Sequence, residues 1–242
     1  MVLFTDTFGT WFEPQGLRDA VTVLQNSGYE VQALGASSSS SRLCCGRTYL
    51  SSGLLREARQ EALKVIGRLH KFVESGIPVV GLEPSCMFTI RDDYSSLVPG
   101  PDSEALASHV KLLDEFLFQE HQKGQLKLPL QKISQEKIWV HGHCHQKAAN
   151  ATGSTLGILQ TIPGLEVELI PSSCCGMAGS FGYESENYEI SMKMAELSLL
   201  PKIRTLDQNH GIVACGTSCR QQIQHGSGKP AMHTAQILRQ AI

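Results

Sequence analysis

The chain has 242 residues, 41% of them hydrophobic and 18% charged, with 22 glycines, 10 prolines and a formal net charge of -2. That length makes one large domain or two small ones, and the composition excludes a disordered, collagen-like or coiled-coil chain. No apolar run approaches the roughly 18–20 residues of a membrane span, the N-terminus lacks a signal-peptide pattern, and the charge gives a nucleic-acid partner no support.

In chain order, VLFTD (2–6) reads as a short apolar strand and LRDAVTVLQNSG (17–28) as a helix ending at glycine. YEVQAL (29–34) is a second strand, and ASSSSSR (36–42) a loop leading to Cys44-Cys45-Gly46. A long helix is expected over about 52–75, then the buried strand IPVVGLE (77–83), then Pro84-Ser85-Cys86 opening another helix. Residues 101–135 read as a helix, about 103–121, and a polar linker. The order then repeats. IWVHGHC (138–144) is a strand, 147–161 a helix, LEVELI (165–170) a strand leading to Cys174-Cys175-Gly176. A helix follows over about 184–206, then the strand GIVACG (211–216), and Thr217-Ser218-Cys219 opens the last helical segment.

Three landmarks match between the halves at near-equal offsets: 130 for the CCG tripeptides (44 to 174), 133 for the Ser-Cys sites (86 to 219) and 137 for Thr7 against Cys144. That pattern points to an internal duplication. Alternating strands and helices give the expected class: α/β, two duplicated small doubly wound (Rossmann-like) lobes with parallel sheets, related by a pseudo-twofold. The expected division is a first lobe over 1–122, a linker over 123–135 and a second lobe over 136–242. The first 122 residues carry 10 Lys+Arg against 15 Asp+Glu, the rest 11 against 8, an asymmetry that solvated surfaces explain.

The eight cysteines are the informative residues. Without a secretory signal, clustered thiols bind metal or do redox chemistry more often than they form a disulfide framework. Cys144, Cys174, Cys175, Cys215 and Cys219 all fall where strands end and helices begin, the functional edge of such a sheet. Helix N-termini there favour thiolates, and Gly176 permits a turn that a Cβ would block. Three chemistries use such a set: an iron–sulfur cluster, a structural zinc, or a thiol–disulfide centre at Cys174-Cys175. Buried structural cysteine is the bland alternative. The first half has Cys44, Cys45 and Cys86, with Asp6 and Glu83 nearby as oxygen donors and Thr7 where the repeat predicts a thiol. Those residues suit a zinc ion or an odd cluster, or belong to a half that kept the fold and lost its cofactor. His141, His143 and His145 flank Cys144; on a strand they would share one face and could ligate metal, relay protons or hydrogen-bond sulfur. Arg47, Lys147 and Arg220 follow cysteine sites closely and could offset thiolate charge, bind an acidic partner or simply be solvated.

LCCGRTYLSSGLL (43–55), GLEPSCMFTIRDDY (81–94), HGHCHQKA (141–148), SSCCGMAGSFGYE (172–184) and GTSCRQQI (216–223) together resemble the cysteine-rich, or CCG, domain family. The family occurs in heterodisulfide reductase, in the iron–sulfur subunit of glycolate oxidase, in anaerobic glycerol-3-phosphate dehydrogenase and in lactate-utilisation proteins. The chain is more similar still to the C-terminal region of FAD-linked D-2-hydroxy-acid oxidases. The resemblance implies a [4Fe–4S] cluster of noncubane type in the second repeat, on Cys144, Cys174, Cys175 and Cys219. A fifth ligand would come from a C-x2-C pair; Cys215, in a C-x3-C spacing, is the candidate. His141, His143, His145 and Gly176 would surround it. Cys44, Cys45 and Cys86 would form a second, degenerate site, with zinc as its candidate occupant. No C-x2-C-x2-C-x3-C-P run and no flavin or dinucleotide fingerprint is present. FAD would therefore sit on a partner domain or chain, beside a ferredoxin-like domain, and this chain would be the iron–sulfur component of an oxidoreductase. The implied location is cytoplasmic, with peripheral attachment to the inner face of the membrane through the partner. A zinc-bound or metal-free scaffold and a heterodisulfide-type reductase are the alternatives.

Overall fold

The structure, a computed structural model, describes residues 1–35 and 42–242, so the expected serine-rich loop lies almost wholly outside the described residues. The chain forms two compact units, Met1–Phe116 and Leu117–Ile242, and each contains one parallel sheet. In the first unit, β1 (Val2–Phe4), β2 (Gln32–Leu34), β3 (Val79–Gly81) and β4 (Val110–Leu112) lie in the order β2-β1-β3-β4. In the second, β5 (Lys137–His141), β6 (Glu166–Leu169) and β7 (His210–Ala214) lie in the order β6-β5-β7. Met232 adds a fourth position on the free side of β7: its N–H donates to Ile212 O at 2.8 Å, and its carbonyl accepts from Ala214 N at 3.0 Å. Both sheets thus have the same strand order. The expected α/β class with doubly wound parallel lobes is what the chain adopts.

Every residue of β1 and β3 is buried, as are four of the five in β5 and in β7, which is why these segments read as unbroken apolar runs. β2 and β6 are edges and carry exposed positions. The helix Leu55–Glu74 buries Ala58, Ala62, Val65, Ile66, Leu69 and Val73 along one amphipathic face. Among the described residues, no helix is long and apolar enough to cross a membrane.

Three expected helices are divided. The 103–121 segment becomes the helices Pro101–His109 and Leu113–Gln122 with β4 between them. The 147–161 segment becomes Cys144–Ala148 and Thr152–Gln160, separated by Asn150 at φ 53°. The 184–206 segment becomes Tyr188–Glu196 and Leu199–Arg204. The last break has a covalent cause: the ring of Pro201 is incompatible with a helical carbonyl at Leu197, so Ser198 leaves the helix at φ -157°.

From β1 the chain crosses to β2 on one side and then to β3 on the other; β5, β6 and β7 repeat the move. The reversal opens a crevice beyond the C-terminal ends of β1 and β3 in one sheet and of β5 and β7 in the other. Asp6, Glu83 and Cys86 follow the first pair of strand ends, and His143, Cys144 and Cys219 the second.

Candidate metal centre

Beyond the end of β5, Cys144 starts the helix Cys144–Ala148. Its thiol hydrogen-bonds Cys174, Cys174 hydrogen-bonds Cys175, and Cys175 hydrogen-bonds Cys219. Four thiols from three chain segments form a continuous string. His141 closes one end: a ring nitrogen and the sulfurs of Cys175 and Cys219 all lie within 4.8 Å of one another, and all three residues are buried. Cys144 is exposed and Cys174 half-buried, so the string runs from the surface inward. Cys175 and Cys219 sit in an apolar cluster with Trp139, Ile170, Ile212 and Ile223.

The turn that makes this string is the Cys-Cys-Gly tripeptide. Gly176 has φ 92°, and a Cβ there would run into the carbonyl oxygen of Ser191. Its N–H donates to Cys174 Sγ at 3.3 Å. Ser191 is held in turn by Gln222, whose Nε2 donates to Ser191 Oγ at 3.0 Å. The loop ahead of the turn is fixed by Lys147, whose Nζ donates to Ser172 O at 2.7 Å and Ser173 O at 2.6 Å. Arg220 likewise binds Ala214 O at 2.8 Å and Cys215 O at 2.7 Å, and Arg47 pairs with Asp93 at 3.1 Å. Lys147 and Arg220 brace a loop and a strand end, and Arg47 ties together two helical segments.

The electrostatics are those of a cluster that lacks positive charge. Cys174 is pulled down to about 2, first by its hydrogen bond from Cys144, then by that from Cys175, with help from the Gly176 N–H against the cost of burial. Cys144 and Cys175 are pushed up, each first by its bond to Cys174 and then, for Cys175, by its bond to Cys219. Cys219 lies well below the ordinary thiol range, through Cys175 first and His141 after it, against its complete burial. Neighbouring thiols cannot all ionise together unless a cation joins them. The donor set therefore fits a soft, thiophilic metal group.

The histidines do not share a strand face, because β5 ends at His141. His143 is the N-cap of the following helix: its Nδ1 accepts from His145 N at 3.2 Å, Gln146 reaches back to the His143 N–H at 3.2 Å, and its ring stacks on His145 at 5.2 Å. His233 and Gln236 cap the helix Thr234–Gln240 in the same way. The repeated His-x-x-Gln spacing is a capping signature readable from sequence. His141 behaves differently. It is 1% exposed, its Nδ1 meets Ser172 Oγ at 2.8 Å, and its Nε2 has no partner at hydrogen-bonding geometry. Cys215 points elsewhere, toward Thr234 Oγ1 at 3.4 Å, and is not one of the three residues gathered at His141. Position 216, three before Cys219, is the one that faces the centre. A Cβ on Gly216 would lie 3.1 Å from His143 Nε2 and 3.5 Å from Cys219 Sγ.

The first unit repeats the frame with other groups. Gly46 has φ 82° and donates to Cys44 Sγ at 3.5 Å; Cys45 and Cys86 sulfurs are 3.0 Å apart. Tyr94, which the sequence did not mark, donates its hydroxyl to Cys45 O at 3.0 Å. Asp6 caps the helix Thr7–Trp11 through Gly9 N at 2.8 Å, and Glu83 caps Pro84–Phe88 through Ser85 N at 3.2 Å. Both carboxylates are buried. Asp6 is raised to about 6 by burial and then by Glu83. Cys86 is lowered by its bond from Cys45 but pushed up more by burial, Asp6 and Glu83, to about 11. Cys44 is also raised, first by its bond to Cys45.

No protein-family model matches the chain. Curated relatives do. Anaerobic glycerol-3-phosphate dehydrogenase of Escherichia coli (strain K12) has a subunit that is 29% identical over 245 residues, covering 100% of this chain and 59% of that protein. D-2-hydroxyglutarate dehydrogenase of the same strain is 27% identical over 244 residues, 100% of this chain and 22% of that protein. Lactate utilization protein A 1 of Bacillus mycoides (strain KBAB4) is 25% identical over 245 residues, 95% of this chain and 92% of that protein. The chain thus spans 59% of the first of these relatives and 22% of the second.

Proposed function

We propose that this chain is the iron–sulfur-binding, electron-transfer module of a flavin-dependent 2-hydroxy-acid oxidoreductase, with the cluster in the second unit. The observation that carries the reading is the thiol string Cys144–Cys174–Cys175–Cys219, which gathers three separated segments at one sheet edge. One relative is a dehydrogenase, another belongs to a dehydrogenase, and a third is named for lactate utilization, which supports a redox role.

A bound [4Fe–4S] group, of noncubane type, would supply one-electron redox chemistry at the second unit. The residues fit it: four thiols need a cation, two of them stand in an apolar pocket, and Gly176 lets the backbone turn tightly beneath them. Cys144 and Cys174 keep the outer side of the site near solvent, where a partner can approach. Cys175 and Cys219 anchor the inner side and exclude water. The domain division proposed is 1–122, a linker over 123–135, and 136–242. Flavin and ferredoxin-like clusters would belong to a partner domain or chain. The first unit keeps the same turn with its thiols held protonated; zinc is the candidate occupant there, but among the described residues Cys44, Cys45 and Cys86 are not gathered with Asp6 and Glu83 as a metal-holding group.

The test is iron, zinc and acid-labile sulfide content of anaerobically prepared protein. The reading expects about four iron and four sulfide per chain. Zinc without sulfide would replace it with a scaffold role.

A further inference from the structure

We infer that His141 is a nitrogen ligand of the group held by the second unit, not a bystander beside it. The inference rests on the iron–sulfur reading above. Its observation is a buried ring nitrogen with no partner at hydrogen-bonding geometry, in a residue 1% exposed, whose ring lies within 4.8 Å of two ligand-type sulfurs. An orphaned buried polar atom is costly, and native structures rarely tolerate one without a use.

The strand position sharpens the argument. Phe4 pairs with Gly81 on β3, and His141 pairs with Ala214 on β7, so Phe4 and His141 occupy equivalent places at the ends of the two central strands. Phe4 is fully buried and satisfies that place with hydrocarbon. An imidazole there gains nothing in packing, so the nitrogen itself needs a purpose.

The tautomer agrees. Ser172 Oγ lies 2.8 Å from His141 Nδ1, and its hydroxyl also reaches Ile170 O at 3.4 Å. With its proton on that carbonyl, Ser172 accepts from Nδ1–H, which leaves Nε2 unprotonated and able to ligate. A second hydrogen bond that fixes the other ring nitrogen is the usual support of a metal-ligating histidine. Ser172 is thus a positioning residue for His141. Gly216 brings no side chain to the centre, so His141 adds a fifth donor to Cys144, Cys174, Cys175 and Cys219. A neutral nitrogen in a thiolate set removes one negative charge. That eases reduction and raises the potential, as histidine does where it replaces cysteine on other iron–sulfur centres.

The experiment uses the full chain labelled with 15N-histidine, reconstituted anaerobically with ferrous iron and sulfide, and examined by pulsed EPR in its paramagnetic state. The expected result is a nitrogen coupling that changes with the isotope. It disappears in His141→Cys and in His141→Phe, which copies the first unit and keeps the fold. His141→Cys retains iron and has a lower potential than the wild type. Ser172→Ala retains iron and weakens or broadens the coupling. A wild-type cluster of full iron content with no histidine coupling overturns the ligand and leaves the cluster reading intact. Wild-type protein that takes up no iron and sulfide overturns the cluster reading and this inference together.

Discussion

The two units present the same backbone device with opposite electrostatics. Each places a Cys-Cys-Gly turn beyond a parallel sheet, with a left-handed glycine whose N–H meets the sulfur of the first cysteine, at 3.5 Å in one and 3.3 Å in the other. The groups around that turn differ at four matched positions at the strand ends. Thr7, Phe4, Asp6 and Glu83 in the first unit correspond to Cys144, His141, His143 and Gly216 in the second. Burial and then two buried carboxylates push the first unit's Cys86 thiol up, while neighbouring thiols, and His141 after them, draw Cys219 and Cys174 down. A duplicated scaffold therefore fixes where thiols gather. The residues at the strand ends differ between the two sites, and so does the electrostatic environment of the thiols.

The largest break in that symmetry is expected from the cysteines. Cys144→Ser and Cys174→Ser should each cause near-total loss of iron and sulfide, measured per folded chain with circular dichroism as the folding control. Cys44→Ser and Cys86→Ser should leave both contents unchanged.

Next comes the glycine of each turn. Gly176→Ala forces a left-handed φ on alanine and drives its Cβ into the Ser191 carbonyl. It should destabilise the chain by about 3–4 kcal/mol. Gly46→Ala meets Ala58 O at 3.1 Å and should cost about 1–2 kcal/mol. Denaturant midpoints separate the two.

Asp6 gives a pH signature to the first unit alone. Its folded value, about 6, lies above the ordinary 3.8, so the folded state holds the proton more tightly. The contribution is fully present below pH 3.8 and is lost as pH rises through about 6. Asp6→Asn keeps a capping side chain and removes the buried charge. It should raise stability above pH 6 by roughly 2–3 kcal/mol and flatten the profile between pH 4 and 6. A parallel, unflattened profile in Asp6→Asn would show that another group carries the effect.

The smallest effect is expected from Lys147→Met, which removes two bonds to the loop carbonyls ahead of Cys174. A loss of about 1–2 kcal/mol, with iron retained but released faster to a chelator, fits a bracing role.

The sequence disclosed the duplication, the central strands and the thiol set because each leaves a local mark: an apolar run, a tripeptide, a spacing. It hid features that depend on pairing in space. β4 is three residues, Val110–Leu112, set between segments that both read as helix, and only its register with β3 defines it. Met232 joins the second sheet through a single bridge, which no periodicity can announce. Cys215 sits one place from the centre because neighbouring residues at a strand end face opposite ways, so the thiol goes to Thr234 while Gly216 faces the site. The different environments of His141 and His143 also required the structure, since β5 ends between them.

The central claim is that the second unit, not the first, holds the iron–sulfur group. The most direct measurement is iron, zinc and acid-labile sulfide per chain in the Cys44→Ser/Cys86→Ser double variant, prepared anaerobically beside the wild type. The account predicts about four iron and four sulfide in both proteins, with any zinc confined to the wild type. Loss of iron and sulfide from the double variant, with the fold intact, would contradict it.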